Sequence, residues 1–337
     1  MNIWAFTGGG SLFLPKDDPG VVNSVQDYDP IDLYLWDQLQ FFVRNNNGPP
    51  FRPDAHMTDY LSDAAVDVIE ANRNRPFFLY LAYNAPHTPL QALKADYDAL
   101  SDIDDHTLRV YGAMMRQLDR GIGRVLDALK AQGLEENTIV VFTSDNGGAD
   151  YIGLPDINKP YRGWKSTFFE GGIHAPYLIK WPSVIPPGTE YHRPVVHFDL
   201  FTTLAVAAGA EVPNDRQIDG VDLLPFALGK KGDARPHDVL FWGAGGYQVV
   251  RDRDWKLQVE DIQPKTWLFN LAEDPSEQKN LADVESERVA RMKDLIATHR
   301  AKLPPPLWPS LVSRTMLIDA PLTRPQGPGD EYVYTFN

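Results

Sequence analysis

A carboxylate and a carboxamide stand side by side just after an apolar run of the sequence. The run at 138–143 predicts a buried strand, and Asp145 and Asn146 follow it before two glycines. In open α/β sheets, ligands bind outside the carboxyl ends of the strands, and two oxygen ligands suit Ca²⁺ or Mg²⁺. The competing interpretation is an ordinary turn, because Asp-Asn-Gly-Gly is also favourable turn chemistry.

A histidine follows a second apolar run in the same way. Residues 77–83 predict a strand buried on both faces, and His87 comes next, between Pro86 and Pro89. The prolines restrict the backbone, and a histidine held there could donate a hydrogen bond to an oxyanion or act as an acid or base. A purely structural histidine is the alternative.

A lysine lies in a loop that is rich in glycine and aromatic residues. This segment runs from 162 to 172 and carries Lys165 and Glu170, with His174 just beyond it. A fixed ammonium in such a loop could neutralise a negative charge that develops on a substrate. Taken alone, Lys165 is better interpreted as a surface lysine, with Glu170 and the glycines as packing and turn residues.

Helical and strand-like segments alternate around these residues. Apolar spacing and end signals predict, in chain order, a helix after Thr58, a helix over 105–131 closed by Gly133, a strand at 176–181 and a helix over 199–208. The strands at 77–83 and 138–143 flank the long helix, which is the order of a strand–helix–strand unit. The predicted fold class is therefore α/β, with a mixed, mostly parallel sheet sandwiched by helices.

The sequence changes character near residue 235. Short apolar runs separated by turn residues predict an antiparallel meander, and a charged amphipathic helix follows at about 284–303. A Pro-rich stretch then ends the helix. These features predict an α/β domain over 1–234, an antiparallel sheet plus helix subdomain over 235–303, and an extended tail over 304–337.

Composition excludes several classes of partner and chemistry. The chain carries 32 Lys and Arg against 46 Asp and Glu, a net charge of −14, so it would repel nucleic acid. It has no cysteine, which removes disulfides and thiolate sites. No apolar run approaches the ~20 residues needed to span a membrane. The first residues show no signal peptide, so localisation stays open.

Together these segments resemble the type I sulfatases, a branch of the alkaline phosphatase superfamily. The resemblance runs through nearly the whole chain and rests on PFFLYLAYNAPHTPL at 76–90, VVFTSDNGG at 140–148, the segment from Lys165 to Gly172, HFDLFTT at 197–203, DGVDLLP at 219–225, DWKL at 254–257 and LFNLAEDP at 268–275. Each motif is weak alone, but their shared order is very specific. The fold implied is alkaline phosphatase-like.

The resemblance also implies a function and site residues. Family members hydrolyse sulfuric esters, and full-length relatives are often periplasmic or secreted. Asp145 and Asn146 would be two of the calcium ligands, and His87 and Lys165 would contact the oxygens of the sulfate ester, with His87 near the leaving-group oxygen. His174 stands where many relatives have arginine, and its role stays open.

Parts of the family pattern are missing from this sequence. The family nucleophile is a formylglycine made from Cys or Ser in a C/S-x-P/A-S-R motif near the N-terminus, and no such motif occurs here. The nearest string, 310–314, has Val where Pro or Ala belongs, and we interpret it as coincidence. The family's paired aspartates and Lys-x-His pair are also absent. We therefore expect an α/β domain incomplete at its N-terminus, without formylglycine, and with a weak or incomplete Ca²⁺ site.

Three interpretations of the function remain open. The chain could be part of an active sulfatase that is inactive by itself, a repurposed hydrolase of carboxylic or phosphate esters, or a non-catalytic interaction protein. A small anionic ester is the expected substrate if the chain is active, with no nucleic acid or membrane partner. Loss of a strand from the sheet would expose edges beside the strand at 138–143, so we expect a homodimer or a partner chain that covers them.

Overall fold

The computed structural model describes residues 4–5, 11–46, 48–262, 264–308 and 313–336. Two compact units interleave along the chain. The first unit comprises 1–138, 149–157 and 320–326, and the second comprises 139–148, 158–319 and 327–337. Ser310, part of the serine string considered above, lies outside the described residues.

The first unit is mainly helical, with two small antiparallel strand pairs. Its elements are β1 (Trp4–Ala5), β2 (Val21–Ser24), α1 (Pro30–Gln38), β3 (Arg44–Asn45), α2 (Met57–Asn72), β4 (Leu90–Leu93), α3 (Lys94–Asp98) and α4 (His106–Ala131). β1 pairs with β3 and β2 pairs with β4. Their core contains residues such as Phe13, Met57 and Leu90.

The long helix α4 confirms the prediction over 105–131. It begins at Asp105, whose Oδ1 accepts a hydrogen bond from Leu108 N at 2.7 Å, which satisfies one of the free N–H groups of the first turn. It ends where Gly133 takes a left-handed φ of 68°, a conformation that glycine adopts without steric cost. Of the helices in the described ranges, none is both long and apolar enough to cross a membrane.

Helix α2 begins at Met57, two residues before the predicted start. The sequence suggested Thr58 as its cap, but the capping group is His56, whose Nδ1 accepts a hydrogen bond from Thr58 N at 3.3 Å. His56 is buried, and its ring stacks on Phe13 with centroids 5.1 Å apart. A buried imidazole can replace the usual hydroxyl cap because neutral histidine keeps one unprotonated nitrogen.

The segment at 77–83 differs from its prediction as a strand buried on both faces. Within the described residues it pairs with no other strand, and its side chains alternate between partly buried and exposed. Leu81 and Tyr83 pack against the core of the first unit, whereas Phe78 and Tyr80 are 79% and 81% exposed. The apolar run gave no sign of this, because periodicity cannot show whether a second layer covers a strand.

The second unit contains most of the strands. Its elements are β5 (Val140–Thr143), α5 (Glu170–Ile173), β6 (Tyr177–Lys180), α6 (Asp199–Ala207), α7 (Leu224–Ala227), β7 (Val239–Ala244), β8 (Tyr247–Asp252), β9 (Trp255–Glu260), β10 (Lys265–Asn270), α8 (Ser286–Arg300), β11 (Ser313–Leu317) and β12 (Tyr332–Phe336). β6, α6, the meander and α8 confirm the elements predicted at those positions.

Strand pairing departs from the expected parallel sheet. β5 pairs antiparallel with β6 in a two-stranded sheet, and every strand pair among the described residues is antiparallel. The expectation came from the strand–helix–strand order, but 77–83 is not a paired strand and β5 has its only described partner in β6. Phe142 and Leu178 on this pair are exposed, so the prediction of a buried strand there is wrong as well. The α/β class itself is confirmed.

The meander of strands β7, β8, β9 and β10 is covered on both faces. Val250, Leu257 and Leu268 pack against Met292 and other residues of α8. The opposite face carries fully buried aromatic residues such as Tyr247, Trp267 and Phe269. The same face carries the fully buried polar residues Lys256 and Gln258, although alternation of this kind usually places polar residues in water.

The C-terminal residues include a hairpin where the sequence predicted an extended tail. β11 pairs antiparallel with β12, and Glu331, just before β12, joins a charged contact described below. Residues 304–308 are exposed. The domain boundaries at 234 and 303 stay predictions, since the two compact units divide the chain in a different way.

Candidate functional site

The Lys165 loop, residues 162–172, is a compact turn in the second unit. Trp164 O accepts hydrogen bonds from Thr167 N at 2.9 Å and from Thr167 Oγ1 at 2.8 Å. Ser166 has a left-handed φ of 74°, which is uncommon for a residue with a side chain and often occurs at functional sites. Lys165 itself is half-buried.

The Lys165 loop contacts the Asp-Asn turn, residues 145–148, through the backbone. Lys165 N donates to Gly148 O at 2.9 Å, and Gly147 N donates to Gly172 O at 3.0 Å. A Cβ atom at Gly147 would lie 1.8 Å from Gly171 O, so only glycine permits this approach. The structure therefore brings the predicted lysine and the predicted metal turn together.

Asp145 and Asn146 do not complete a metal site by themselves. Asp145 is exposed, and Asn146 donates its amide nitrogen to Gly147 O at 3.0 Å. Ca²⁺ prefers six to eight oxygen ligands, and across the described residues no group of three or more His, Cys, Asp or Glu side chains could hold an ion. The calcium assignment of Asp145 and Asn146 stays a prediction.

His87 lies in the first unit, on the His87 loop, residues 84–89. Its Nδ1 is 2.7 Å from Thr88 O, so Nδ1 carries the proton and donates it. Nε2 is then the acceptor nitrogen and lies 3.5 Å from Tyr151 Oη. The ring is exposed, which suits a group that exchanges a proton with a ligand. Its convergence with the residues of the second unit stays a prediction.

A buried carboxylate–lysine cluster, Glu170, Lys256 and Glu277, joins the Lys165 loop to the meander and to the segment that follows the meander. Lys256 Nζ is 2.8 Å from Glu170 Oε1 and 3.0 Å from Glu277 Oε1, and the side chains of Lys256 and Glu277 are 0% exposed. Neither Lys256 nor Glu277 was predicted from the sequence as a site residue. The DWKL motif that contains Lys256 was the available signal.

The two carboxylates of the cluster differ in pKa. Burial opposes ionisation of Glu170, but Lys256 and the hydrogen bond from His174 outweigh it and hold its pKa well below the ordinary value. Burial and the nearby Glu170 charge raise the pKa of Glu277, despite the opposing effect of Lys256. One ammonium between two carboxylates thus favours the ionised form of Glu170 more than that of Glu277.

Three other residues from the motifs have structural contacts. Arg162 binds Asp319 with both Nε and Nη2 at 2.6 Å and also binds Glu331 at 2.6 Å, which ties the loop to both ends of the connection between β11 and β12. His174 contacts Glu170 Oε2 at 3.1 Å. Asp199 is fully buried and accepts hydrogen bonds from two backbone N–H groups.

The family comparison decides the class of protein. The family model described as Sulfatase matches residues 19–210, more than half of the chain. The chain belongs to the sulfatase family. The resemblance read from the motifs is thus confirmed, and a second family model, N-sulphoglucosamine sulphohydrolase, C-terminal, matches 162–302.

Curated sulfatases are similar over much of this chain. A sulfatase from Formosa agariphila is 34% identical over 284 residues, which cover 75% of this chain and 51% of the relative. Mouse steryl-sulfatase is 30% identical over 347 residues, which cover 90% of this chain and 53% of the relative. The chain therefore spans about half the length of these two relatives.

Solved structures share the fold of this chain. The crystal structure of Ps i-CgsB in complex with k-i-k-neocarrahexaose has a TM-score of 0.75 and 30% identity, and the match covers 91% of this chain and 68% of that one. A phosphonate monoester hydrolase from Silicibacter pomeroyi has a TM-score of 0.57 at 22% identity, which shows likeness of fold alone. The alkaline phosphatase-like fold predicted from the motifs is confirmed.

Proposed function

We propose that this chain contributes the anion-binding part of a sulfuric ester hydrolase site. Lys165 would contact the ester oxygens, and His87 would lie near the leaving-group oxygen. Family membership supports this reaction class. The observation that carries the proposal is the 2.9 Å hydrogen bond from Lys165 N to Gly148 O, which holds the lysine backbone against the Asp-Asn turn.

The two side chains would divide the chemistry. The Lys165 ammonium would donate hydrogen bonds to sulfate oxygens and neutralise charge as the ester bond breaks. His87 already donates Nδ1–H to Thr88 O, so a proton taken up at Nε2 could pass to the leaving-group oxygen. In the family a formylglycine supplies the nucleophile, and since its motif is absent from this sequence, we propose that the chain alone does not turn over sulfate esters.

The metal part of the site would be weak in this chain alone. Asp145 and Asn146 would supply two oxygen ligands, and Ca²⁺ bound there would stabilise the negative charge of the ester. Two ligands are too few for tight binding, so we propose low calcium affinity unless another chain adds ligands.

Titration calorimetry of inorganic sulfate tests the proposed function. Lys165→Ala should weaken sulfate binding by ~1–3 kcal/mol, or about 5- to 150-fold, because a charged hydrogen bond is lost. Lys231→Ala is the matched control, since Lys231 is an exposed lysine of the same unit and its removal changes the net charge equally. Equal affinity in all three proteins would refute the proposed anion site.

A parallel assay tests the missing nucleophile and the alternative activities. Purified chain with an aryl sulfate and excess Ca²⁺ should release no sulfate. Metal-dependent release that survives purification would overturn that part of the proposal. An aryl phosphate and a carboxylic ester in the same assay would reveal a repurposed hydrolase, whereas inactivity on all three together with no sulfate binding would favour a non-catalytic interaction protein.

We also propose that a second copy or a partner chain covers the exposed strand surfaces. The outer face of 77–83 carries Phe78 and Tyr80, both largely exposed. β5 has β6 as its partner on one edge and no described strand on the other. Unpaired edges and contiguous apolar faces promote association.

A further inference from the structure

The Lys165 loop is bound from behind by side chains of the meander and of the segment that follows it. Phe168 N donates to Tyr247 Oη at 3.1 Å. Glu170 N donates to Glu277 Oε2 at 2.5 Å. Tyr247 of the meander and Glu277 of the following segment therefore hold the loop through backbone N–H groups that lie C-terminal to Lys165.

These contacts form a closed network of buried polar groups. Tyr247 Oη donates to Gln258 Oε1, Gln258 Nε2 donates to Glu277 Oε1 at 3.0 Å, and Lys256 joins Glu277 to Glu170. All five residues are buried. Polar groups at such depth are tolerated when each has partners, and the geometry of the whole network is then strongly determined.

Stability alone gives a poor reason for this arrangement. A buried ion cluster is generally no more stabilising than well-packed apolar residues of the same volume, because desolvation offsets the attraction. Glu277 also has a left-handed φ of 58°, a conformation that costs energy for a residue with a side chain. A cluster that combines both costs can instead serve to fix one conformation of the loop that it contacts.

Glycine contacts carry this constraint to the Asp-Asn turn. A Cβ atom at Gly172 would lie 2.3 Å from both Thr167 O and Trp164 O, so the end of the loop packs directly on its beginning. Gly172 O in turn accepts the hydrogen bond from Gly147 N. A shift of Glu170 would therefore move Gly172 and, with it, both sides of the candidate site.

We propose that Lys256, Glu277 and Tyr247 are positioning residues, which hold the Lys165 loop in its anion-binding geometry without touching the anion. The consequence for anion affinity rests on the proposed function of Lys165, whereas the consequence for loop rigidity does not. Two readouts therefore separate the two ideas: sulfate affinity by calorimetry, and hydrogen exchange at the amides of Lys165 and Glu170.

The decisive comparison is Lys256→Met against Met292→Ala. Met292 is fully buried on the other face of the same meander, so its truncation destabilises the meander without altering the network. Lys256→Met should speed exchange of the Lys165 and Glu170 amides at least ~10-fold relative to the amides of the β7–β8 pair and weaken sulfate binding by a similar factor. Met292→Ala should leave the ratio of exchange rates and the sulfate affinity at their wild-type values.

Tyr247→Phe provides a milder variant if Lys256→Met does not fold. It removes only the hydroxyl that accepts from Phe168 N, so exchange at Phe168 should rise and sulfate affinity should fall a few-fold. The proposal would be overturned if amide exchange in the Lys165 loop of both Lys256→Met and Tyr247→Phe matched that of Met292→Ala. It would also be overturned if these variants exchanged faster but kept the wild-type sulfate affinity while that affinity still depended on Lys165. If Lys165→Ala left sulfate affinity unchanged, the proposed function would be refuted instead. The ratios of exchange rates would still decide whether the network holds the loop.

Discussion

The His87 loop and the Lys165 loop each carry a candidate catalytic side chain, but the groups behind them differ. The Lys165 loop rests on a charged network in which Lys256 contacts two carboxylates. The His87 loop leads into β4, where the neutral pair His56 and Gln91 provides the buried hydrogen bonds: His56 Nε2 contacts Gln91 O at 3.2 Å. One loop is thus fixed by ions and the other by neutral polar groups.

The surroundings of the two loops also differ in their unsatisfied polar atoms and exposed apolar side chains. Thr88 Oγ1 and Asn84 Oδ1, on either side of His87, are buried without a hydrogen-bond partner in the part of the chain that the structure describes. The segment before them exposes Phe78 and Tyr80. The three residues of the carboxylate–lysine cluster all have described partners, although Trp164 Nε1 on the Lys165 loop is also buried without one among the described residues. The clearer difference is therefore the exposed apolar surface of Phe78 and Tyr80, which supports the proposal that another chain covers this side.

The largest expected effect comes from the charged network. Glu277→Ala should lower the free energy of unfolding by ~3–5 kcal/mol, because it leaves Lys256 short of a carboxylate and two buried donors without acceptors. Chemical denaturation followed by tryptophan fluorescence measures the loss. Glu273→Ala is the exposed control and should change stability by ~0.5 kcal/mol at most. Equal effects would remove the distinction drawn between the two loops.

A pH effect should mark the neutral support of the His87 loop. Burial lowers the pKa of His56 from its ordinary value of 6.5 to about 4, and its Nδ1 already accepts from Thr58 N. Between those pH values the unfolded chain binds the extra proton and the folded chain does not, so stability falls as pH falls. The loss should be ~2 kcal/mol between pH 7 and pH 5.

Denaturation midpoints at pH 7, 6 and 5 measure this loss. His56→Gln should flatten the dependence over that window, whereas His192→Gln should keep it, because His192 is exposed. If stability depended on pH in His56→Gln as it does in wild type, another group would be responsible for the dependence. The neutral hydrogen bonds inferred behind the His87 loop would then lose their main physical consequence.

The smallest effect on stability should accompany a change in assembly. Phe78→Ser and Tyr80→Ser should alter the free energy of unfolding by ~0.5 kcal/mol or less, since both side chains are largely exposed. Light scattering should nevertheless show less association than in wild type, because an apolar face is removed. Phe226→Ser, on a partly buried aromatic of the other unit, should leave association unchanged. A monodisperse wild-type monomer would contradict the expected partner.

Local sequence signals predicted the helices and the motif positions well. Asp105 caps the start of α4 and Gly133 follows its end, and each acts through groups only a few residues away from it in the chain. The alternating runs after residue 235 form the four-stranded meander. The sulfatase resemblance was equally local, because each motif is a short string. The contact between Lys165 and Gly148 was anticipated only through that resemblance.

The sequence by itself determined the family, the order of the elements and the residue types available for anion binding. Only the tertiary structure decided which faces are covered. Lys256 and Gln258 alternate with apolar residues in β9 and would face water in an isolated sheet, yet both are buried. Glu170 of the Lys165 loop contacts Lys256, and Glu277 of a later segment contacts Gln258. Phe78 and Tyr80 belong to an apolar run and are exposed. The physical reason is that periodicity records how a strand divides its faces, while burial depends on whether a distant segment packs against each face.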